Sequence, residues 1–456
     1  MYERDRHFLP WRERFNYIGF MARTVLMLML SLAATAARAQ LGLPAVRVPA
    51  LPQLPLQAVT GTLQGLTGQV DATVQQDARQ LQVRDLIRRN RATLEADPNG
   101  AAIMRGQIVA FSPSDADLAV AQGAGFAILD TRTLAGLDAR IVVLQAPAGL
   151  STARGLRRLR TLVPAGTFDY NHLYSRSGAV GVGSADTPAA TPASVPAPPE
   201  VSLRVGLIDG GIDDSHPVFK DLSLQRHGCG GAAVPEAHGT AVASLMVGRS
   251  GDFHGAAPGA QLYAADVYCG LASGGSVEAV AEALSWLVQE RVAVINVSLV
   301  GPANATLAAV VHLVIERGCI IVAAVGNDGP AAPPLYPASY PGVVGVTAVD
   351  AHRHVLIEAA RGPQVRFAAP GADMVAAKSP RGFDAVRGTS FAAPLVACLL
   401  AERHLQPDKA DALRAIDELA HRAIAPGGRS PDRTYGYGVV GADLGPDLRL
   451  AGLQLR

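Results

Sequence analysis

The chain has 456 residues, enough for two or three domains with a sizeable core. Hydrophobic residues make up 49% and charged residues 17%, which excludes a disordered, solvated chain. Lys and Arg number 40 against 39 Asp and Glu, a net charge of +1 that lacks the basic footprint of a nucleic-acid binder, so no nucleic-acid partner is expected. Cys229, Cys269, Cys319 and Cys398 form no C-x-x-C pair, which excludes a disulfide-dense scaffold and a Cys-based zinc site.

The chain opens with Arg12, Arg14 and Arg23 ahead of the apolar run 25–32 and the small residues 33–39, with Ala37-Arg38-Ala39 before Gln40. That order is the one of a secretory signal, expected over 1–39, with Met21 as a second candidate start. The apolar run is shorter than the roughly 20 residues that cross a bilayer. No second such run follows, so the mature protein is expected to be a soluble monomer in the periplasm or outside the cell, with no membrane span after signal removal. Pro44, Pro49, Pro52 and Pro55 make the next stretch an extended linker. Residues 59–95 carry Val70, Val74, Leu81 and Leu86 at helical spacing and end in Arg84, Arg88, Arg89 and Arg91, which reads as a solvated amphipathic helix closing the segment 40–100.

Over 101–174 the apolar runs 107–111, 126–129, 140–144 and 167–170 alternate with helical stretches at 115–122 and 152–160. This β-α-β-β-α-β order predicts a small α+β (ferredoxin-like) domain with two helices on one antiparallel sheet. Residues 175–200 are rich in Ala, Pro, Gly and Ser and read as a flexible, protease-accessible linker. From 201 to 448, nearly all-apolar runs at 204–208, 292–297, 319–325 and 343–349 predict strands covered on both faces. Helical stripes at 276–290 and 305–317 lie between them, the second ending at Gly318. The expected architecture is an α/β doubly wound parallel sheet, followed by a short tail, 449–456.

In this region three reactive side chains stand among small residues. Asp209 follows the apolar run 205–208 and precedes a Gly-Gly turn, the end of a strand where open α/β sheets hold ligands. His238 enters the small-residue stretch 239–244. Ser390, in Gly388-Thr389-Ser390-Phe391-Ala392-Ala393-Pro394, opens an apolar helix in which Pro394 is expected to be tolerated within the first turn. Taken singly, these read as a turn residue, a packing histidine and an N-cap. Together they are what a serine nucleophile needs: an imidazole to take its proton and a carboxylate to hold that imidazole. A helix N-terminus at the serine and Asn327 after the apolar run 320–325 offer donors for an oxyanion.

The segments Ile208-Asp209-Gly210, His238-Gly239-Thr240, Ala324-Val325-Gly326-Asn327 and Gly388-Thr389-Ser390-Phe391-Ala392-Ala393-Pro394, in this order, resemble the subtilisin-like serine proteases (subtilases) over about 201–448. Shorter agreements at 295–299, 336–341, 367–371 and 435–440 support the likeness. The resemblance implies a subtilisin-type sheet and an exported serine endopeptidase with Asp209, His238 and Ser390 as triad and Asn327 at the oxyanion. It implies protein or peptide substrates bound as an added strand beside Ser298, Leu299 and Val300, with Ala324 and Gly326 at the edge of the pocket before the cut. It also implies that 101–174 is a prodomain, an inhibitory partner in cis, and that maturation cuts within about 174–200. No metal and no cofactor are called for.

Two positions depart from the family pattern. Gly210 stands where a small hydroxyl residue is more usual, so backbone N–H groups are expected to serve Asp209, and Val300 stands where a glycine is usual. An esterase of the α/β-hydrolase type is disfavoured because G-x-S-x-G is absent and His238 does not come last. A catalytically silent binding or chaperone protein of the same fold, or a protease restricted to itself and one dedicated partner, are the remaining rivals. His216 beside Asp213 and Asp214 reads as a turn residue before Pro217. Cys229 and Cys269, in Gly-rich loops of an exported chain, are either paired or free, while Cys319 and Cys398 read as buried thiols.

Overall fold

The computed structural model describes residues 79–176 and 203–452, together with the backbone of 179–180. The expected signal peptide, the Pro-rich linker, residues 181–200 and the last four residues of the tail lie outside the described residues.

Helix α1 spans 79–89. It is followed by β1 (Leu94–Ala96), β2 (Ala102–Phe111), α2 (Asp115–Gly123), β3 (Ala127–Leu134), β4 (Ala139–Gln145), α3 (Thr152–Leu162) and β5 (Thr167–His172). These strands form one antiparallel sheet in which β2 pairs with β1, β4 and β5, and β4 also pairs with β3. The expected α+β order is present, with β1 as an addition. The apolar spacing that suggested helix up to Glu95 is overruled there because Leu94 is buried in a strand register with Met104. α1 is not simply solvated either: Val83, Leu86 and Ile87 pack on Leu94, Ala102 and Leu173. Both faces of β2 are covered, so its residues read as one apolar run. Ile108 and Ala110 pack with Leu156, Leu159 and Phe168 under α3, while Val109 joins Leu134, Ile141 and Val143 on the opposite face.

Next come two short strands, β6 (Ser175–Arg176) and β7 (Ala179–Val180), then β8 (Arg204–Asp209), β9 (Leu224–His227), α4 (Ala237–Val247), the hairpin β10 (Arg249–Ser250) and β11 (Phe253–His254), and β12 (Gln261–Asp266). α5 (Val277–Gln289), β13 (Val294–Val297), β14 (Leu299–Val300), α6 (Ala305–Glu316), β15 (Ile320–Ala324) and β16 (Val344–Val349) follow. β17 (Val365–Pro370), β18 (Met374–Ala377), β19 (Phe383–Arg387), α7 (Thr389–Ala401) and α8 (Lys409–Arg422) complete the described chain. Seven parallel strands run in the order β17-β16-β15-β13-β8-β12-β9. Strand order departs from β8 in both directions, so β8 lies at the switch point and Asp209 closes it at the carboxyl end. One face of the sheet packs on α4 and α7 through Val205, Leu207, Val322 and Val346. The other packs on α5 and α6 through Ile208, Ile295, Ile321 and Val325.

The outer face of the N-terminal sheet belongs to that second core, since Val109, Leu137 and Ile141 share it with Val280, Leu284 and Leu307. Polar contacts complete the junction. Ala305 N–H, at the start of α6, donates to Asp169 at 2.7 Å, and Asn304 Nδ2 donates to the Tyr170 carbonyl at 2.8 Å. A carboxylate at a helix N-terminus meets the unpaired N–H groups and the positive end of the dipole. Among the described residues no helix is long and apolar enough to cross a membrane.

Candidate active site

Asp209, His238 and Ser390 come from three elements, β8, α4 and α7, and meet at the carboxyl end of the sheet. The three side chains are buried. His238 Nδ1 lies 2.9 Å from both Asp209 oxygens, and Nε2 lies 3.0 Å from Ser390 Oγ. A carboxylate only accepts, so Nδ1 carries the proton and Nε2 presents its lone pair to the hydroxyl. Phe391 packs against the imidazole with ring centroids 5.3 Å apart. Gly210 N–H donates to Asp209 Oδ1 at 2.6 Å, so the main chain serves the carboxylate where the family more often has a hydroxyl.

Ser390 is the second residue of α7, reached through Gly388 at φ 139°, a conformation that an L side chain rarely adopts. Pro394 lies in the helix interior, beyond the first turn where it was expected, and it changes the serine's surroundings. Without an N–H, it leaves the Ser390 carbonyl lacking its i+4 helical donor. Ser298 Oγ supplies that donor at 3.0 Å, and Asn296 Nδ2 donates to Ser298 Oγ at 2.8 Å. The Ser298 side chain therefore turns to the Ser390 backbone.

Asn327 follows β15 and Gly326, whose φ is 102°. Thr389 N–H donates to Asn327 Oδ1 at 3.0 Å, and Gly326 N–H donates to Thr389 Oγ1 at 3.2 Å. These bonds fix the carboxamide oxygen of Asn327 to the start of α7. Ala324 is wholly buried in the core beneath α7 and supports this turn from below. Next to Asn327, burial pushes the Asp328 carboxyl up, opposed by the Arg79 guanidinium that donates to it at 2.9 Å.

Leu299 and Val300 are paired, antiparallel, with Arg176 and Ser175. Tyr174 N–H donates to the Gly275 carbonyl at 2.7 Å, so residues 174–176 lie as a strand between two edges of the large domain. Ala179 and Val180 pair with Arg387 and Val386 on β19, the strand that leads into Ser390. The composition of 175–200 suggested a flexible linker from its first residue. Pairing with exposed edges makes 175–176 and 179–180 strands instead, and composition does not report that kind of pairing.

Cys229 and Cys269 form a disulfide, resolving the two readings left open, and Cys319 and Cys398 are buried thiols. His216 is a turn residue: Val218 N–H donates to its Nδ1 at 3.2 Å, and its Nε2 lies 3.0 Å from the Gly382 carbonyl. Sequence reasoning missed Asn296, Glu236 and Tyr268. An amide inside the buried strand 294–297 was a readable signal, since buried polar groups are held by partners. Glu236 and Tyr268, which hold the Arg176 guanidinium by an ion pair and across the ring face, carried none, because that partner comes from a distant strand.

Residues 202–438 match the sequence pattern of the Subtilase family, a little over half of the chain. Subtilisin E of Bacillus subtilis (strain 168) is 31% identical over 242 residues, covering 50% of this chain and 61% of that protein. M-protease of Shouchella clausii (strain KSM-K16) is 31% identical over 253 residues, covering 53% and 63%. The chain thus spans about three fifths of the length of these relatives. Among solved structures, fervidolysin from Fervidobacterium pennivorans, described as a keratinolytic enzyme related to subtilisin, is similar with a TM-score of 0.61 at 17% identity, covering 78% of this chain and 62% of that one. That likeness is one of fold. With a family pattern that spans the parallel sheet and contains Asp209, His238, Asn327 and Ser390, the chain belongs to the Subtilase family.

Proposed function

We propose that the protein is an exported serine endopeptidase that is made as a zymogen and cuts its own chain between Ser177 and Gly178. The observation that carries this reading is the contact from Asp209 through His238 to Ser390, over which the protein's own chain approaches as a strand from each side. Counting along the chain from Arg176 opposite Leu299 to Ala179 opposite Arg387 puts the 177–178 bond midway between the two pairings.

In the reaction Ser390 Oγ attacks the peptide carbonyl as His238 Nε2 takes its proton. Asp209 accepts from Nδ1–H and stabilises the imidazolium. Asn327 Nδ2 and the Ser390 N–H, one of the orphan donors of the α7 terminus, receive the oxyanion. His238 then gives the proton to the leaving amine, and water, activated by the same imidazole, releases the acyl group. Main-chain pairing with Leu299 and Val300 supplies affinity that is largely independent of sequence. The N-terminal α+β domain acts as prodomain: its sheet is seated on α5 and α6 while its tail fills the cleft. Export is supported by the order of segments in 1–39 and by the disulfide, a bond kept in oxidising compartments.

The test is N-terminal sequencing and intact mass of the purified protein beside a Ser390→Ala version, with casein as an unfolded substrate. Wild type should begin at Gly178 and digest casein, and Ser390→Ala should keep the upstream domain. Equal starts near Gln40 and no casein cleavage would leave a silent binding protein as the better reading. Self-cleavage without casein cleavage would restrict the protease to itself or one partner.

A further inference from the structure

We infer that Glu236 and Tyr268 form a recognition site for a basic side chain on the second residue before the cut, so that substrates with Arg at that place are preferred. The inference rests on the cleavage reading above, in which Arg176 holds that place in the protein's own chain. The Arg176 guanidinium lies over the Tyr268 ring, 4.2 Å from its centroid, and is ion-paired with the Glu236 carboxylate. A planar cation between an aromatic face and a carboxylate meets two independent attractions.

Residues of the large domain build the site. Glu236 occupies the N-cap position of α4, two residues before His238, yet its side chain makes no capping bond and turns to the cleft instead. With Arg176 in place its side chain is 16% exposed, so the ion pair lies in a partly desolvated place. Gly210 leaves it room, since a Cβ there would stand 2.3 Å from Glu236 Oε2. The family departure at Gly210 and the acidic site are therefore one feature: a side chain at 210 would displace the carboxylate. Tyr268 is fixed separately. The Tyr268 and Cys269 N–H groups both donate to Asp266 Oδ1 at 2.9 Å, and the disulfide from Cys269 to Cys229 ties down the same loop.

The experiment uses the full chain after it has processed itself and quenched peptides with the sequence of residues 173–180, carrying Arg, Lys, Ala or Glu at the position of Arg176. A surface-type ion pair together with a cation–π contact predicts kcat/KM for Arg on the order of tenfold above Ala, with Glu below Ala. Glu236→Gln should lower the Arg to Ala ratio to within about threefold, the loss expected when one of the two attractions is removed. Equal rates for Arg, Ala and Glu peptides with the wild-type protein would overturn the inference while leaving the protease reading standing. So would a ratio that Glu236→Gln does not change. If no peptide and no casein is cut, the protease reading falls and takes this inference with it.

Discussion

At Pro394 a single residue reorganises the hydrogen bonding around Ser390. Its missing N–H leaves the Ser390 carbonyl to Ser298, and Ser298 to Asn296, so a proline four residues along the helix explains two buried polar residues on the neighbouring chain segment 296–298. The interaction predicts a loss that packing alone would not produce. In a Ser390→Ala background, which removes the proposed nucleophile, Ser298→Ala should lower unfolding stability by about 1–3 kcal/mol, because Asn296 and the 390 carbonyl are left buried without their partner. A urea midpoint unchanged from the parent would show that this chain of bonds does not matter. At this scale the candidate triad was legible because Asp209, His238 and Ser390 each follow or open an apolar run among small residues. Glu236 and Tyr268 were not assigned roles, since each acquires its meaning from Arg176 far along the chain, whereas Asn296, an amide inside a buried strand, carried a signal that was not used.

Among the elements, the junction between the N-terminal sheet and helices α5 and α6 joins apolar burial to a few directed charges. Asp169 at the first turn of α6 is the clearest of these. Asp169→Asn keeps an acceptor but removes the charge that faces the helix terminus. In the same Ser390→Ala background it should reduce stability by about 1 kcal/mol at low ionic strength, and the difference should shrink as salt is added. Equal thermal unfolding of the two proteins at all salt concentrations would remove the electrostatic part of this account. The elements themselves were largely readable: the runs 204–208, 292–297, 319–325 and 343–349 appear as β8, β13, β15 and β16 with small shifts at their ends. β1, β6 and β7 were not, because strands of two or three residues have no periodicity and form only where an edge is offered.

Among the described residues, long-range ties join distant segments: Ser175 and Arg176 paired with Val300 and Leu299, Arg79 on Asp328, and the disulfide across a sequence separation of 40. A cross-link over that distance restricts the unfolded chain by about 4 kcal/mol in the chain-entropy account. Replacing Cys229 and Cys269 together by Ser should therefore lower the urea midpoint of the Ser390→Ala protein clearly, by a few kcal/mol once multiplied by the slope. Identical midpoints would assign the tie no role in stability. It would also be expected to loosen the loop that presents Tyr268. Local patterning, which follows from helical and strand periodicity and from the chemistry of a few side chains, was enough to specify the parallel sheet, the small α+β domain ahead of it and the meeting of Asp209, His238 and Ser390. Which strand edges the chain's own tail would occupy, which cysteines would pair, and which side chain would stand beside Arg176 depended on surfaces brought together from distant segments, and only the folded arrangement carries that information.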